Sequence, residues 1–208
     1  YRKYIVKKDE QFREEYKRIS RDSDTVSKSF LTLPETITVK KDADGTIYHN
    51  HLYADENGEA SIKLNGWEEE VISEESQSSD FVCWLRNVPR ARWALCVPYE
   101  KNKEIKSMYP DFLIIRKDPE LKYVVDILEP HSPDFADNLA KAQGLADYAE
   151  KEPQIGKVQL IRKVKRAGGH SGLQRLDMSV GEIREKVKKA FTNDELDHLF
   201  EEYGVFNF

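Results

Sequence analysis

Hydrophobic and polar residues alternate with a period of two in the stretch that follows Pro34. Four such segments lie at residues 36–39, 46–48, 51–53 and 60–64, with Asp44-Gly45 and Asn57-Gly58 between them. Alternation around Asp-Gly or Asn-Gly is the strongest short-range signal for a β-hairpin. The sequence therefore predicts a small β-meander ahead of the main domain.

Longer segments with helical or strand spacing begin at Asn65, which we expect to cap a helix because three glutamates follow it closely. Further helices are predicted near residues 80–86, 133–150, 180–191 and 193–203, and strands at 93–99, 111–116, 123–129, 157–164 and 173–176. Strands that alternate with helices indicate an α/β fold. We therefore divide the chain into residues 1–64, a linker with the meander, and residues 65–208, the α/β domain.

Two carboxylates interrupt apolar strands of this domain. Asp111 follows a proline at the start of one predicted strand, and Asp126 lies inside the apolar run of residues 124–128 on the next. A buried, ionised carboxylate without a partner is unfavourable. If both aspartates meet at one end of the sheet, they form a hard oxygen site for Mg²⁺, which would activate water for phosphodiester hydrolysis. The alternative is that Asp111 caps a turn and Asp126 makes a structural ion pair.

The wider sequence around these residues resembles a known superfamily. The segments concerned are residues 82–90 (VCWLRNVPR), 97–99 (VPY), 108–113 (MYPDFL), 125–131 (VDILEPH) and 137–146 (DNLAKAQGLA). Together they resemble the PD-(D/E)xK nucleases and, within them, the C-terminal region of type III restriction-like proteins linked to DEAD/DEAH helicases. The resemblance covers about residues 60–180. It implies a restriction-endonuclease-like core, a central mixed β-sheet flanked by helices, with Mg²⁺ or its substitute Mn²⁺ as cofactor and DNA as substrate.

The superfamily pattern has a lysine two residues after the second acid, and that position is Leu128 here. Glu129 is a further catalytic candidate, although strand alternation turns it to the face opposite Asp126. Other members carry their lysine on the following helix, so the resemblance implies Lys141 as the catalytic cation. His131, just past the strand end, would bind metal or transfer a proton. The alternatives are a solvated helix lysine and a turn histidine.

The resemblance also suggests supporting residues. Glu68 on the first helix would add a metal ligand, although consecutive acids are also typical of a solvated helix start. Gln143 on the helix of Lys141 would contact a phosphate. The basic run at residues 157–166 is the candidate contact for the DNA backbone. Its predicted DNA-binding residues are Lys163, Lys165 and Arg166. The alternative is that the run is an ordinary basic strand end, which is common in proteins that do not bind DNA.

Composition narrows the class of protein. Charged residues make up 34% of the chain and hydrophobic residues 39%, and no apolar run approaches the roughly 18 residues of a membrane span. The net charge of −5 argues against a basic surface that coats nucleic acid, but it is compatible with an acidic metal site. Cys83 and Cys96 lie in apolar surroundings, which favours a reducing, cytoplasmic setting. The chain begins at Tyr1 with charged residues and not with a signal peptide, so we interpret it as part of a longer protein.

We therefore expect a Mg²⁺-dependent DNA endonuclease domain that works with a helicase motor in restriction or antiviral defence. The sequence contains no P-loop Gly-x-x-x-x-Gly-Lys, so the motor would be another part of the same protein or an associated chain. The main alternative is an inactive nuclease-like fold that binds DNA or a partner. A further alternative is that residues 1–64 form a protein-binding module that dominates the function.

Overall fold

A six-stranded mixed sheet lies at the centre of the computed structural model, which describes residues 35–38, 44–165 and 171–207. None of the helices within these residues is long and apolar enough to cross a membrane. In chain order the elements are β1 (Thr46–Tyr48), β2 (Ala60–Ile62), α1 (Gly66–Ser76), β3 (Phe81–Arg86), β4 (Val97–Lys101), β5 (Glu104–Met108), β6 (Phe112–Asp118), β7 (Lys122–Pro130), α2 (Asn138–Lys151), β8 (Val158–Lys165), β9 (Ser171–Asp177), α3 (Gly181–Lys189), α4 (Asn193–Tyr203) and β10 (Val205–Phe206).

The strand order in this sheet is β10-β9-β8-β7-β6-β3. Strand β6 runs antiparallel to its neighbours β3 and β7, and β8 is parallel to β7. A parallel neighbour requires a crossover connection, which α2 supplies here. The pairs β1–β2 and β4–β5 form separate two-stranded sheets. The chain thus has a mixed α/β fold with a central mixed sheet flanked by helices, as the sequence predicts.

Both faces of the sheet are buried, because α1 covers one face and α2 covers the other. The α1 face carries a cluster of buried apolar residues: Val71, Ile72, Trp84, Phe112, Ile114, Leu128 and Ile161. The alternate residues Leu113, Ile127 and Leu160 are also buried and turn toward the α2 face. This alternation decides where the polar side chains of β6 and β7 lie.

The segment near residues 80–86 is the strand β3, so the helix predicted there is wrong. This strand is antiparallel to β6, with Trp84 opposite Ile114. The short apolar run of residues 81–85 cannot be assigned to helix or strand by periodicity alone, because no polar residue alternates within it. The strand predicted at residues 93–99 begins only at Val97, and its partner β5 was not predicted.

The predicted meander adopts a different pairing. Strand β1 pairs with β2, from Thr46↔Ile62 to Tyr48↔Ala60. The segment at residues 51–53 does not join this hairpin, and His51 forms a bridge to β3 instead. The strand predicted at residues 36–39 is not formed over its described residues 36–38, and residues 39–43, which precede the Asp44-Gly45 turn, lie outside the described residues.

Residues 50–52 cover the outer edge of β3. The backbone N–H of Leu52 donates to the carbonyl of Trp84 (2.7 Å), and the Trp84 indole donates to Asn50 Oδ1 (3.0 Å). The rings of Tyr48 and His51 pack edge-on against the Trp84 ring. The hairpin therefore shares the core of the α/β domain. As a result, Glu35–Phe208 form one compact unit that does not divide after residue 64.

Candidate active site

The register of β6 and β7 places Asp111 opposite Glu129. The ladder starts beside the turn and ends at Phe112↔Leu128, so the next pair of facing residues is Asp111 and Glu129. Side chains that face each other across an antiparallel pair have Cβ atoms about 5 Å apart. Both residues alternate with the apolar positions of the α1 face. The two residues therefore lie at the same end of the sheet, where the Asp111 carboxylate is close enough to raise the pKa of Glu129.

The carboxylate of Glu129 contacts a lysine from α2 and the histidine that follows β7. Lys141 Nζ lies 3.3 Å from Glu129 Oε1 and 3.5 Å from His131 Nδ1. His131 Nδ1 is 3.6 Å from the same glutamate oxygen, and its Nε2 is 3.7 Å from Asp137 Oδ1. The Tyr99 hydroxyl donates to Asp137 Oδ2 (3.2 Å). The structure thus brings four predicted site residues together: Asp111, Glu129, His131 and Lys141.

Arg86, which the sequence analysis did not identify, joins α1 to this acidic cluster. Its NH1 lies 2.9 Å from Glu68 Oε1, and its NH2 lies 3.2 Å from Asp111 Oδ1. The other Glu68 oxygen accepts from the Asn65 N–H (2.9 Å), and the Asn65 side chain accepts from the N–H groups of Trp67 and Glu68. This capping box confirms Asn65 as the N-cap of α1. It also means that Glu68 reaches the cluster through Arg86.

Burial shifts the pKa values of three groups in the cluster. Burial, reinforced by the Asp111 carboxylate and opposed by the charge of Lys141, raises the pKa of Glu129 to about 8. Burial raises the pKa of Asp111 to about 6, although the charge of Arg86 opposes the shift. Burial and the nearby Lys141 lower the pKa of His131 to about 4, so its imidazole is neutral at pH 7. Neighbouring buried groups with such shifts are typical of functional sites.

Asp126 lies elsewhere, on the α1 face and about 10 Å along the hairpin from Asp111. Its Oδ2 accepts from Arg116 Nε (2.6 Å), and its Oδ1 accepts from the Lys157 N–H (2.7 Å). The same guanidinium also pairs with the buried Glu75 of α1. The structure therefore does not unite the two aspartates that the sequence analysis chose as metal ligands. Asp126 makes the structural ion pair that was the alternative interpretation.

The carboxylates of Asp111 and Glu129 suit a hard divalent cation. Within the described ranges, no group of three or more His, Cys, Asp or Glu side chains is arranged to hold a metal ion. Mg²⁺, however, is often bound by one or two protein carboxylates, and water and substrate phosphate complete its shell. Glu129 Oε2 is buried without a hydrogen-bond partner, and a cation would offset the raised pKa of both acids. The donor set therefore fits Mg²⁺ or Mn²⁺.

Two of the residues predicted to contact DNA have partners within the fold. Lys163 pairs with Glu70 on α1. Gln143 Nε2 donates to a backbone carbonyl at the end of α3 (2.9 Å), so it ties two helices together. Lys165 is exposed at the end of β8, and Arg166 lies outside the described residues. The partners of Lys163 and Gln143 account for these two residues without DNA.

Asp137, which precedes α2, is a further residue of the site that was not predicted. Its side chain makes no capping hydrogen bond to the helix, and it turns to Tyr99 and His131 instead. Its position four residues before Lys141 was the available signal, since that spacing places both residues on one side of a helix start. Arg86 was harder to identify from the sequence. The prediction of a helix at residues 80–86 did not place it at the end of a strand beside Asp111.

Comparisons with known proteins give a family. No solved structure matches the chain. Among curated proteins the chain is similar to Protein YagJ of Escherichia coli (strain K12), with 32% identity over 153 residues. The alignment covers 73% of this chain and 60% of that relative, so the chain spans about 60% of the length of the curated relative it matches. The YagJ family model matches residues 49–206, which include the whole six-stranded sheet and the acidic cluster. The chain belongs to the YagJ family.

Proposed function

We propose that this chain is a Mg²⁺-dependent DNA endonuclease domain of the PD-(D/E)xK type, with Asp111 and Glu129 as its metal-binding acids. The observation that carries the proposal is the meeting of Asp111, Glu129, His131 and Lys141 at one end of the β6–β7 pair, beside α2. Asp111 follows a proline, as in the superfamily pattern. With Glu129 as the second acid, the position of the superfamily lysine is His131, and Lys141 supplies a cation from the next helix.

The order of the elements also supports the proposal. A helix precedes three antiparallel strands, and a second helix then leads to a strand parallel to the third. This is a central mixed sheet flanked by helices, the architecture that the resemblance implies. If Glu129 and not Asp126 is the second acid, Leu128 no longer occupies the position at which the superfamily pattern has its lysine.

Each residue of the cluster has chemistry suited to hydrolysis of a phosphodiester. Mg²⁺ held by Asp111 and Glu129 would act as a Lewis acid on the scissile phosphate and lower the pKa of a bound water. Lys141, next to Glu129, is placed to stabilise negative charge that develops on the phosphate. His131 has a neutral imidazole beside Asp137, so it can accept the proton of the attacking water. The water oxygen bonds to phosphorus as the ester P–O bond breaks, and the leaving oxygen takes up a proton from solvent to become a hydroxyl.

Cleavage of labelled single- and double-stranded DNA in Mg²⁺ and in Mn²⁺ tests the proposal. We expect the wild type to cut DNA, and Asp111→Asn and Glu129→Gln to cut it roughly 100-fold or more slowly, because both remove a metal ligand. Glu104→Gln changes an exposed carboxylate on β5 and is the matched control, with the activity of the wild type. Metal-dependent cutting that persists in both acid variants would reject the proposed site.

Thermal unfolding gives a readout that does not depend on cleavage. A ligand that binds only the folded state raises its Tm. Mg²⁺ is therefore expected to raise the Tm of the wild type and of Glu104→Gln, and to leave the Tm of Glu129→Gln unchanged.

A catalytically inactive nuclease-like domain that binds DNA or a partner is the second candidate function. It is favoured by the protein cations beside both acids, Arg86 at Asp111 and Lys141 at Glu129, because a neutralised carboxylate needs no metal. A wild type that neither cuts DNA nor gains thermal stability from Mg²⁺ would support this binding role.

The proposal includes coupling to a helicase motor in restriction or antiviral defence. Its support is the resemblance of residues 60–180 to helicase-linked proteins. Affinity purification of the tagged protein from its native cells is expected to retrieve a DEAD/DEAH-type ATPase. If the purified material contains no such ATPase, and the full-length protein itself has no ATPase segment, this part of the proposal is wrong.

A further inference from the structure

The loop that joins β3 to β4 is basic and contains a tryptophan. Arg90 and Arg92 are exposed, and Trp93 is half-buried beside them. Arg90 has a φ of 66°, a left-handed conformation that a bulky residue adopts only where its surroundings impose it. The loop thus presents two arginines and an aromatic ring in an imposed backbone conformation.

Asn87 fastens this loop to the acidic cluster. Its side-chain amide donates to the carbonyls of Leu95 (2.9 Å) and Pro110 (2.8 Å), and its Oδ1 accepts from the Leu95 N–H (2.9 Å). Its own backbone N–H donates to the carbonyl of Asp111 (2.9 Å). Asn87 is 1% exposed, so these bonds are shielded from water. Both ends of the loop are therefore held against the residue that bears the candidate metal-binding carboxylate.

A cavity of about 540 Å³ lies beside the loop, within the range of about 300–1,000 Å³ that is typical of ligand sites. Two of its walls are the rings of Tyr53 and Trp93, whose centroids are 6.2 Å apart at a tilt of 52°. Arg86 also lines the cavity, and its guanidinium lies 3.2 Å from Asp111 Oδ1. A single side chain therefore separates the cavity from the acidic cluster.

We infer that this cavity receives one unpaired nucleobase of a DNA strand whose neighbouring phosphate lies at Asp111 and Glu129, so that the substrate of the domain is single-stranded DNA. The inference rests on the proposed nuclease function and names its substrate class. Aromatic rings bind unpaired bases by stacking, whatever the sequence, and arginines hold the backbone on either side. Trp93 supplies the ring, and the exposed Arg90 and Arg92 supply the cations.

The chemistry of the cavity walls matches a nucleobase, which has apolar faces and a polar edge. Ile62 and Trp93 provide apolar surface, and Arg86 and Lys63 add charged side chains to the lining. His51 is also a wall residue, but its Nδ1 is hydrogen-bonded to Tyr53 and its Nε2 accepts from the Arg86 N–H. Asp55 is also a wall residue, but its Oδ1 accepts two backbone N–H groups of its own turn. A base within a duplex is stacked on both faces and must be unpaired before it can enter a pocket, which costs free energy. A single strand avoids that cost.

Binding measured in EDTA tests the inference without cleavage. The probes are fluorescein-labelled oligothymidylate and a labelled duplex of the same length, followed by anisotropy. We expect Trp93→Ala and Tyr53→Ala to weaken single-strand binding about 10-fold, the usual effect of removing a base-stacking ring. Duplex affinity is expected to stay the same. Tyr123→Ala removes a ring that is 49% exposed at the opposite end of β7 and is the matched control, without effect on either probe.

Trp93→Phe keeps a ring in place and is expected to retain single-strand affinity, which separates stacking from a folding defect in Trp93→Ala. Unchanged single-strand affinity in Tyr53→Ala and Trp93→Ala would overturn the inference, and so would equal weakening for the duplex. A protein that cuts DNA but shows either result keeps the proposed function and loses this inference. A protein that loses single-strand binding in these variants but never cuts DNA keeps the cavity as a base-binding site and loses the nuclease function.

Discussion

Asp126 and Glu129 are both buried and lie three residues apart on one strand, yet the protein compensates their charges differently. Asp126 accepts two hydrogen bonds from donors of fixed position, Arg116 and the Lys157 N–H. Glu129 has a lysine beside one oxygen and no hydrogen-bond partner for the other. The first arrangement is complete without a ligand, and the second leaves an oxygen for one.

Replacement of Asp126 by alanine is therefore expected to affect stability and not chemistry. It leaves the Arg116 guanidinium short of one partner in a buried network, and breaking such a pair costs about 3–5 kcal/mol. Chemical denaturation at pH 7 measures the loss. Cleavage per folded molecule is expected to remain near that of the wild type, and a folded Asp126→Ala protein without activity would contradict the assignment of Asp126 to structure.

The raised pKa of Glu129 predicts a pH-dependent stability in the absence of metal. The folded protein favours the protonated acid, so this contribution is full below the ordinary pKa of 4.5 and is lost as the pH rises through about 8. The free energy of unfolding, measured in EDTA, is expected to fall by on the order of 1–2 kcal/mol between pH 6.5 and pH 8. Above pH 6.5 the contributions of Asp111 and His131 are mostly complete, because that of Asp111 changes between pH 3.8 and about pH 6 and that of His131 between about pH 4 and pH 6.5.

Glu129→Gln cannot ionise and is expected to lose this slope, while Glu104→Gln is expected to keep it. An equal slope in the wild type and in Glu129→Gln would show that another group is responsible.

The sequence contained more information about this site than its apolar pattern suggested. Asp126 was chosen because it interrupts an apolar run. A carboxylate in such a run indicates that the residue is buried, but it does not indicate that the residue is functional. The register of the hairpin was the better guide, since Asp111 and Glu129 lie equally far from the turn, seven residues before Asp118 and seven residues after Lys122. The exact turn had to be known for that count, and a displacement by one residue moves each side chain to the other face.

At the scale of elements, the position of α2 decides whether Lys141 reaches the cluster. Gly144, one turn further along α2, lies against β4: a Cβ added there would come within 2.7 Å of Tyr99 Cβ and 2.9 Å of the Pro98 carbonyl oxygen. Neither atom can move without the strand. The absence of a side chain at this position therefore sets the distance between α2 and the β4–β5 hairpin.

Gly144→Ala is expected to destabilise the protein by about 1–3 kcal/mol, although alanine favours helices by about 1 kcal/mol over glycine. It is also expected to slow DNA cleavage, because α2 must move away and takes Lys141 with it. Denaturation and cleavage assays check both effects. Gly66→Ala, in the first turn of α1, is the control: a Cβ there meets no atom within 4 Å, so no loss is expected. A neutral Gly144→Ala would show that α2 tolerates the displacement.

The elements were predicted best where polar or turn residues bound a long patterned segment and worst where an apolar run is short and uninterrupted. The helices α2, α3 and α4 and the strands β6, β7 and β8 follow the predicted pattern with shifted ends. Strand β3 does not, because residues 81–85 contain no alternating polar residue that would give the run a period of two. Because β3 was predicted as a helix, Arg86 at its end was not identified as a residue of the site.

At the scale of the whole molecule, the hairpin β1–β2 belongs to the core. Its residues and those at 50–52 protect the outer edge of β3, which would otherwise expose unpaired backbone groups and the Trp84 ring. The boundary predicted after residue 64 therefore lies within one compact unit.

A chain of residues 65–208 is consequently expected not to unfold cooperatively, whereas a chain of residues 35–208 is expected to keep a single sharp transition. Thermal denaturation followed by near-ultraviolet circular dichroism of the tryptophans compares the two. Cooperative unfolding of the shorter chain with a Tm near that of the longer one would show that the hairpin is dispensable.

The four hydrogen bonds of Asn87 have a thermodynamic consequence. They join the loop that we assign to the DNA strand with the carbonyl next to the Asp111 carboxylate. Energetic coupling between two binding sites is reciprocal: whatever factor occupation of one site applies to the affinity of the other is returned in full. The affinity for the cation measured without DNA is then a different quantity from the affinity during turnover, and the ratio of the two measures the coupling between the sites.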